Sequence, residues 1–391
     1  MNAKLIIFIA SLLIINSCGG GDSDTDDIED TNNSSVISKE EANNTAPSTP
    51  ITNNTSNNLL ASNEPYYNYA WHIDSINSAE EDTNNLINNQ ADIDILKAWE
   101  ITKGSGVKVA VIDDGYDINH EDLKDNIAVV YNVDDDSSDV SNKNSEITNA
   151  LHGNTCAGFI VSPINGKGSV GIAPSAKLIG IKLLSEEESY VIKAFEYAQQ
   201  QGAKVISCSW GTNDVSPAIV AKLKELYDAG ITVVFASGND GVSLDVDGTN
   251  DESEVEWVIG VGASSEQNDV TSYSNYGKNI EVIAPGGDTE KLGLLGIDDS
   301  GEKGSTNQKD VVSNNYAFTD GTSFATPITA GVIALMYSIH PNITPTQVKN
   351  ILTTTATKVG GDNANYIDGF DEKRAYGKVN AFSAVSGAKD L

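Results

Sequence analysis

Four short segments carry residue types that together could move an acyl group. One apolar run ends Val111-Ile112-Asp113-Asp114-Gly115, and His152 opens the small-residue stretch Gly153-Asn154-Thr155-Cys156-Ala157-Gly158. Another run ends Phe235-Ala236-Ser237-Gly238-Asn239, and Ser323 lies in Asp320-Gly321-Thr322-Ser323-Phe324-Ala325-Thr326-Pro327, entering a long apolar helix. Each has an ordinary reading by itself. Asp113 is then a turn residue, His152 a capping or surface histidine among only four in the chain, and Gly321-Thr322-Ser323 a cap ahead of proline. Their order is less ordinary. Acyl transfer needs a nucleophile, a base, a carboxylate to orient the base and a donor for the oxyanion, and these four side chains supply them. A serine at a helix start also holds its oxygen at the positive end, where an alkoxide is stabilised.

Bringing such distant positions together requires a scaffold of buried strands. Val107 to Ile112, Leu178 to Leu183, Val205 to Cys208, Ile231 to Ala236, Val258 to Val261 and Ile280 to Ile283 are short, nearly continuous apolar runs, as in parallel strands covered on both faces. Helical patterns alternate with them: Ser189 to Gln201, Pro217 to Ala229 closed by Gly230, Thr326 to His340, and Pro345 to Thr355 after a Thr344 cap. The alternation predicts an α/β fold, three layers around a doubly wound, mostly parallel sheet, with ligands beyond the carboxyl ends of the strands. The polar stretch 286–320 reads as a long loop that overhangs the cleft.

Composition narrows the field. The 391 residues hold 56 acidic against 24 basic side chains, a formal net charge of -32, which argues against a nucleic-acid partner and against docking on an anionic membrane through a basic patch. Three cysteines make no disulfide framework. At the amino terminus Lys4 precedes an apolar stretch, Leu5 to Ile15, too short to span a bilayer, so residues 1–17 read as a signal peptide. Ile15-Asn16-Ser17-Cys18 resembles a bacterial lipobox, which implies a lipidated Cys18 anchoring the chain to a membrane of the bacterial envelope; the plainer alternative is a cleaved signal with a stray cysteine. Residues 18–63, rich in Asn, Asp, Ser and Thr, are expected to be a disordered tether, and ordered structure is expected from Glu64 to Leu391. The tether lacks the compact amphipathic segment of a folding-assistant prodomain, and none is expected.

The segments around Asp113, His152, Asn239 and Ser323 resemble the signatures of subtilases, the subtilisin-like serine peptidases, in which Asp, His and Ser follow in that chain order. The resemblance runs from about Glu64 to Ala384. It implies a serine endopeptidase acting on extended polypeptides as a monomer, with Ser323 as nucleophile, His152 as general base and acid, Asp113 holding the imidazole tautomer, and Asn239 donating to the oxyanion. It also implies that Ser209, Trp210 and Gly211 form the edge that pairs with substrate and lines the primary pocket.

A finer likeness is to the kexin and furin branch, through Asp113-Asp114-Gly115, Asn119-His120-Glu121-Asp122-Leu123 and Ser207-Cys208-Ser209-Trp210-Gly211. It implies a preference for basic residues before the scissile bond, with Asp247 or Asp251 as the pocket carboxylate and Asp114 serving the next subsite. Asp214 and Asp245 fall where that branch has a calcium site, whereas Asn275 replaces an expected calcium-binding Glu and Asn149 a second subsite Asp. A stronger calcium site is implied by Glu64, Asp122, Asn165 and the carbonyls of Lys167 and Ser169, oxygen ligands suited to a hard cation. In this fold a cysteine below the histidine is often free and buried, the reading preferred for Cys156 and Cys208 over a disulfide. Two alternatives stand beside the peptidase of basic preference: a nonspecific scavenging subtilase, and a silent subtilase-fold binding lipoprotein.

Overall fold

The computed structural model describes residues 58–81, 86–141, 152–185, 187–212, 214–246, 250–301, 311–313 and 315–391. Cys18, Asn149 and Asp247 lie outside them. Ordered chain starts earlier than Glu64: a short 3-10 turn covers Asn58–Asn63, and Ala61 is buried in the main core.

Seven parallel strands make the central sheet: β1 (Lys108–Asp113), β2 (Ile127–Asn132), β3 (Lys177–Lys182), β4 (Val205–Cys208), β5 (Thr232–Ala236), β6 (Val258–Ser264) and β7 (Ile280–Pro285). Their order is β2-β3-β1-β4-β5-β6-β7. The chain thus winds one way from β1 to β3 and β2, then the other way from β4 onward, placing the reversal beside β1. Strands β4 to β7 are buried at every residue, which is why they read as unbroken apolar runs. Edge strand β2 is mostly half-exposed and escaped the sequence reading.

Helices cover both faces. After two short ones, α1 (Ser75–Glu81) and α2 (Ile95–Trp99), come α3 (His152–Val161), α4 (Glu188–Gln200), α5 (Pro217–Asp228), α6 (Thr322–Ile339), α7 (Pro345–Thr355) and α8 (Ala381–Lys389). Helices α4 and α5 pack apolar stripes, Val191, Ala194, Phe195 and Ala198 on one and Ile219, Leu223 and Leu226 on the other, into one core. Helices α3, α6 and α8 belong to the core on the opposite face. The three-layer arrangement expected from the sequence is the one observed. The caps follow local rules: Ser216 Oγ accepts from Ile219 N at 3.2 Å with Pro217 next in line, and Thr344 with Gln347 forms a reciprocal capping box.

Two differences bear on the site. Helix α6 starts at Thr322, not Thr326, and carries Pro327 in its interior, so Ser323 is a helical residue rather than part of a preceding loop. The stretch read as an overhanging loop contains a small antiparallel sheet ordered β8-β10-β9: β8 (Leu294–Ile297), β9 (Val311–Ser313) and β10 (Tyr316–Thr319). Strand β8 packs on α3, where Thr155 Oγ1 donates to Ile297 O at 2.7 Å.

Candidate active site

Asp113 is the last residue of β1 and His152 the first of α3. Close approach of the two elements depends on Gly153, where a Cβ would lie 2.6 Å from Gly115 O and 2.8 Å from Asp113 Cβ. Across this junction His152 Nδ1 donates to Asp113 Oδ1 at 2.8 Å, which leaves Nε2 as the basic nitrogen. Asp114 N donates to the same oxygen at 2.9 Å, while Asp113 Oδ2 is buried without a partner. Burial by itself would lower the His152 pKa, but the charge and hydrogen bond of Asp113 outweigh it and hold the imidazole well above its usual range.

Ser323 sits in the first turn of α6, opposite the histidine. Cys156 marks the proximity: its sulfur is 3.7 Å from His152 Nδ1 and 3.5 Å from Ser323 O, and the Phe324 ring packs tilted against the imidazole with centroids 5.3 Å apart. Ser323 Oγ donates to Ser209 O at 3.3 Å, which holds the hydroxyl at the edge that follows β4. Cys156 and Cys208 are free, buried thiols. Burial pushes Cys156 to about 11, so it is a neutral neighbour of the dyad.

Asn239 follows β5. Its Oδ1 accepts from Thr322 N and Thr322 Oγ1, each at 2.9 Å. With the carbonyl end so fixed, the amide nitrogen is the end left to donate, and Asn239 lines the same cavity as Ser323. Thr322 was not singled out from the sequence, although it adjoins Ser323 in the same motif. Asn275 was noted only as a missing carboxylate. Here its Oδ1 accepts from Asp240 N at 3.0 Å and Val242 N at 3.1 Å, which shapes the loop that carries Asn239. Tyr273 was missed altogether; its hydroxyl donates to Gly287 O at 2.7 Å and accepts from Gly321 N at 3.1 Å, pinning the turn before Ser323.

Ser209, Trp210 and Gly211 continue from β4 and line a small cavity with Asp240, Asp251, Thr322 and Ser323. The Trp210 indole turns away into the core and donates to Ile112 O at 2.9 Å, so its backbone rather than its ring faces the cavity. Asp251 reaches it directly: Oδ1 accepts from Ser253 N, and Oδ2 comes so near Gly211 that a Cβ there would lie 2.7 Å away. Behind it, buried Glu252 accepts from Thr212 N and Oγ1, both at 2.8 Å; burial first and the Asp251 charge second push its pKa up to about 7.

Three further aspartates expected at the site have defined surroundings. The Asp114 carboxylate is turned onto the His152 and Gly153 amides, at 3.2 and 2.9 Å. The cation beside Asp245 is Lys278, whose Nζ lies 3.2 Å from Oδ1 and whose amide donates to Oδ2 at 3.0 Å. Exposed Asp214 is held by its backbone through a bridge to Asn250.

Glu64, Asp122 and the 164–170 loop do converge. Asp122 is fully buried; Oδ1 accepts from Asn165 Nδ2 at 3.0 Å, and Oδ2 from Ser169 N at 2.8 Å and Tyr316 OH at 2.9 Å. Glu64 Oε1 accepts from Gly166 N at 2.9 Å, and its buried Oε2 has no partner. Lys167 N donates to Asn165 Oδ1 at 2.8 Å, so Lys167 and Ser169 meet their neighbours through amides. Burial raises Glu64 and pushes Asp122 up to about 7, with the two carboxyl groups repelling each other. Paired buried carboxylates with an unpartnered oxygen and an amide side chain fit a hard cation.

The model of the subtilase family matches residues 104–370, which span all four segments. The chain belongs to the subtilase family. It is 32% identical over 262 residues to subtilisin DY of Bacillus licheniformis, covering 66% of this chain and 86% of that one. It is also 32% identical over 330 residues to a calcium-dependent protease of Nostoc sp., covering 76% of this subtilase but only 48% of the longer relative. A protease from Pseudoalteromonas arctica has the same fold, with a TM-score of 0.68 at 26% identity over 83% of this chain and 99% of that one.

Proposed function

We propose that this subtilase is a serine endopeptidase that cuts extended polypeptides through an acyl-enzyme. The observation that carries the reading is the 2.8 Å bond from His152 Nδ1 to Asp113 Oδ1, which leaves Nε2 as the basic nitrogen, with Ser323 brought near through Cys156, whose sulfur is 3.7 Å from His152 Nδ1 and 3.5 Å from Ser323 O. Ser323 Oγ attacks the carbonyl carbon as His152 takes its proton. The imidazolium, held by Asp113, then returns that proton to the leaving amine, and water repeats the cycle to free the acid. Asn239 Nδ2 donates to the oxyanion, in an orientation set by Thr322. A fluorophosphonate probe tests it: labelling of the wild type but not of Ser323→Ala is expected, and a folded wild type that takes no label defeats the reading.

A preference for Arg or Lys before the scissile bond is supported by Asp251 Oδ2 beside Gly211, with Asp240 also lining the same cavity. Peptide-library cleavage decides it; a preference for large apolar residues defeats it. Calcium would be held by Glu64, Asp122 and Asn165 together with loop carbonyls, where it neutralises two buried carboxylates and locks the loop. The dependence printed in the name of the Nostoc relative supports that reading. The remaining proposal concerns placement: residues 1–17 as a lipoprotein signal, a lipidated Cys18, a tether that ends at the Asn58–Asn63 turn and a peptidase domain from that turn to residue 391, acting as a monomer at the bacterial envelope. Palmitate labelling that Cys18→Ser abolishes is the expected result.

A further inference from the structure

Every helix begins with amides that have no partner within it. In α3 the first two belong to His152 and Gly153, and Asp114 satisfies both: Oδ2 accepts from His152 N at 3.2 Å and Oδ1 from Gly153 N at 2.9 Å. Since His152 is the first residue of α3, the positive end of the helix lies at the imidazole. That pole opposes the imidazolium that forms when the histidine accepts a proton, and a carboxylate bonded to the pole counters it. A carboxylate placed to recognise a substrate cation would point an oxygen into the cleft, whereas each oxygen here has an amide of α3.

We propose that Asp114 is a positioning residue for His152: it clamps the start of α3 to the end of β1 and adds a second negative charge that favours the imidazolium, without reading substrate side chains. The inference rests on the peptidase reading above. The groups around the imidazole leave this charge a clear effect. From β1 it meets Asp113, from its own helix the neutral thiol of Cys156, and from α6 uncharged Phe324, with the uncharged Ser323 in contact with that thiol. Around the aspartates, Tyr116 and Cys208 are held neutral by burial, and Lys182, in register with Asp113 on β3, donates its ammonium to Ser141 O at 2.6 Å. Past Asn154 stands Asp299, which accepts from the Asn154 amide at 3.2 Å. Among the described residues, carboxylates are therefore the charges that act on His152, and since burial first and the Asp113 charge second push Asp114 up to about 6, its charge is present above that pH.

Asp114→Asn and Asp114→Ser each keep a polar acceptor at the helix start and remove the charge, while Asp114→Glu keeps it. The readouts are the pH profile of kcat and kcat/KM, and the NMR titration of the His152 ring in a Ser323→Ala background, where no turnover is needed. Activity requires neutral imidazole, and loss of a nearby negative charge lowers the imidazole pKa. In both uncharged variants the acid limb and the ring titration should therefore move down by about one pH unit. We expect kcat to fall roughly tenfold with KM unchanged, and the ratio of kcat/KM between peptides bearing Lys or Ala two residues before the scissile bond to stay constant. Asp114→Glu should restore the ring titration. An unmoved ring titration overturns the proposal, and so does a loss confined to the lysine-bearing peptide, which would make Asp114 a subsite carboxylate. If the folded wild type cuts no peptide and takes no fluorophosphonate, the peptidase reading fails while the ring titration still judges Asp114.

Discussion

Pro327 leaves the carbonyl of Ser323 without a helical partner. The two stand four residues apart in α6, the spacing of a helical hydrogen bond, and proline has no amide to donate. The freed carbonyl accepts instead from Ser209 Oγ at 2.7 Å and from Cys156 Sγ at 3.5 Å. A helix-breaking residue thus ties the nucleophile's backbone to the pocket edge after β4 and to the helix that carries His152. Pro327→Ala should return that carbonyl to α6 and loosen both ties. Expected are a melting temperature equal to or above that of the wild type and a kcat lower by roughly tenfold, with KM little changed, as when groups lose near-attack alignment. Steady-state kinetics with a melting curve checks it.

Asn239 offers the cleanest test of the oxyanion assignment. Thr322 fixes its carbonyl end, so Asn239→Ala removes a donor whose direction was already set. We expect kcat to fall about 10²- to 10³-fold with little change in KM. Thr322→Val keeps the shape, leaves the amide free to flip and should produce a smaller fall in the same parameter.

Much of this site was legible in the sequence because its signals are local. Asp113, His152, Asn239 and Ser323 each close or open a buried element, and small residues mark the places where elements must touch. What escaped depends on long-range partners. Nothing around Asp245 in sequence reveals that Lys278 supplies its cation, and nothing around Asp114 that its oxygens turn to the amides of α3. The β8–β10 sheet escaped because its strands are three or four residues long and set in polar sequence. The start of α6 was misplaced because Pro327 was assigned to a first turn, whereas tertiary hydrogen bonds satisfy the carbonyl it orphans.

Asp251 carries the specificity prediction. Asp251→Asn should lower kcat/KM for peptides with Arg or Lys before the scissile bond by about 10- to 100-fold, through loss of a charge-assisted contact in a confined pocket. Peptides with apolar residues there should be affected far less. Gly211→Ala adds a Cβ 2.7 Å from Asp251 Oδ2 and should damage both substrate classes by displacing the pocket wall.

Calcium removal should be visible as stability. EGTA is expected to lower the melting temperature of the wild type, and added calcium to restore it, because binding to the folded state alone stabilises it by mass action. Glu64→Gln and Asp122→Asn should each blunt that response by removing a ligand charge. An unchanged melting temperature in EGTA would remove calcium from the account of this fold.

His72 gives acid sensitivity a definite sign. It is buried, both ring nitrogens lack partners, and burial lowers its pKa to about 3. Its ring packs 5.5 Å from Phe159, which lies 5.8 Å from Phe324 beside the nucleophile, so its protonation would strike the core beneath the site. The folded state keeps the ring neutral, while the unfolded chain takes up a proton near the ordinary value of about 6.5. The contribution is fully present above that value and is lost progressively as pH falls toward 3, where the folded state also binds the proton. At about pH 4.5 the loss amounts to roughly 2–3 kcal/mol. His72→Phe has no proton to bind in either state, so its melting temperature should fall less steeply than that of the wild type between about pH 7 and pH 4. Parallel melting curves for the two proteins over that range would show that the buried imidazole is not a source of the acid sensitivity.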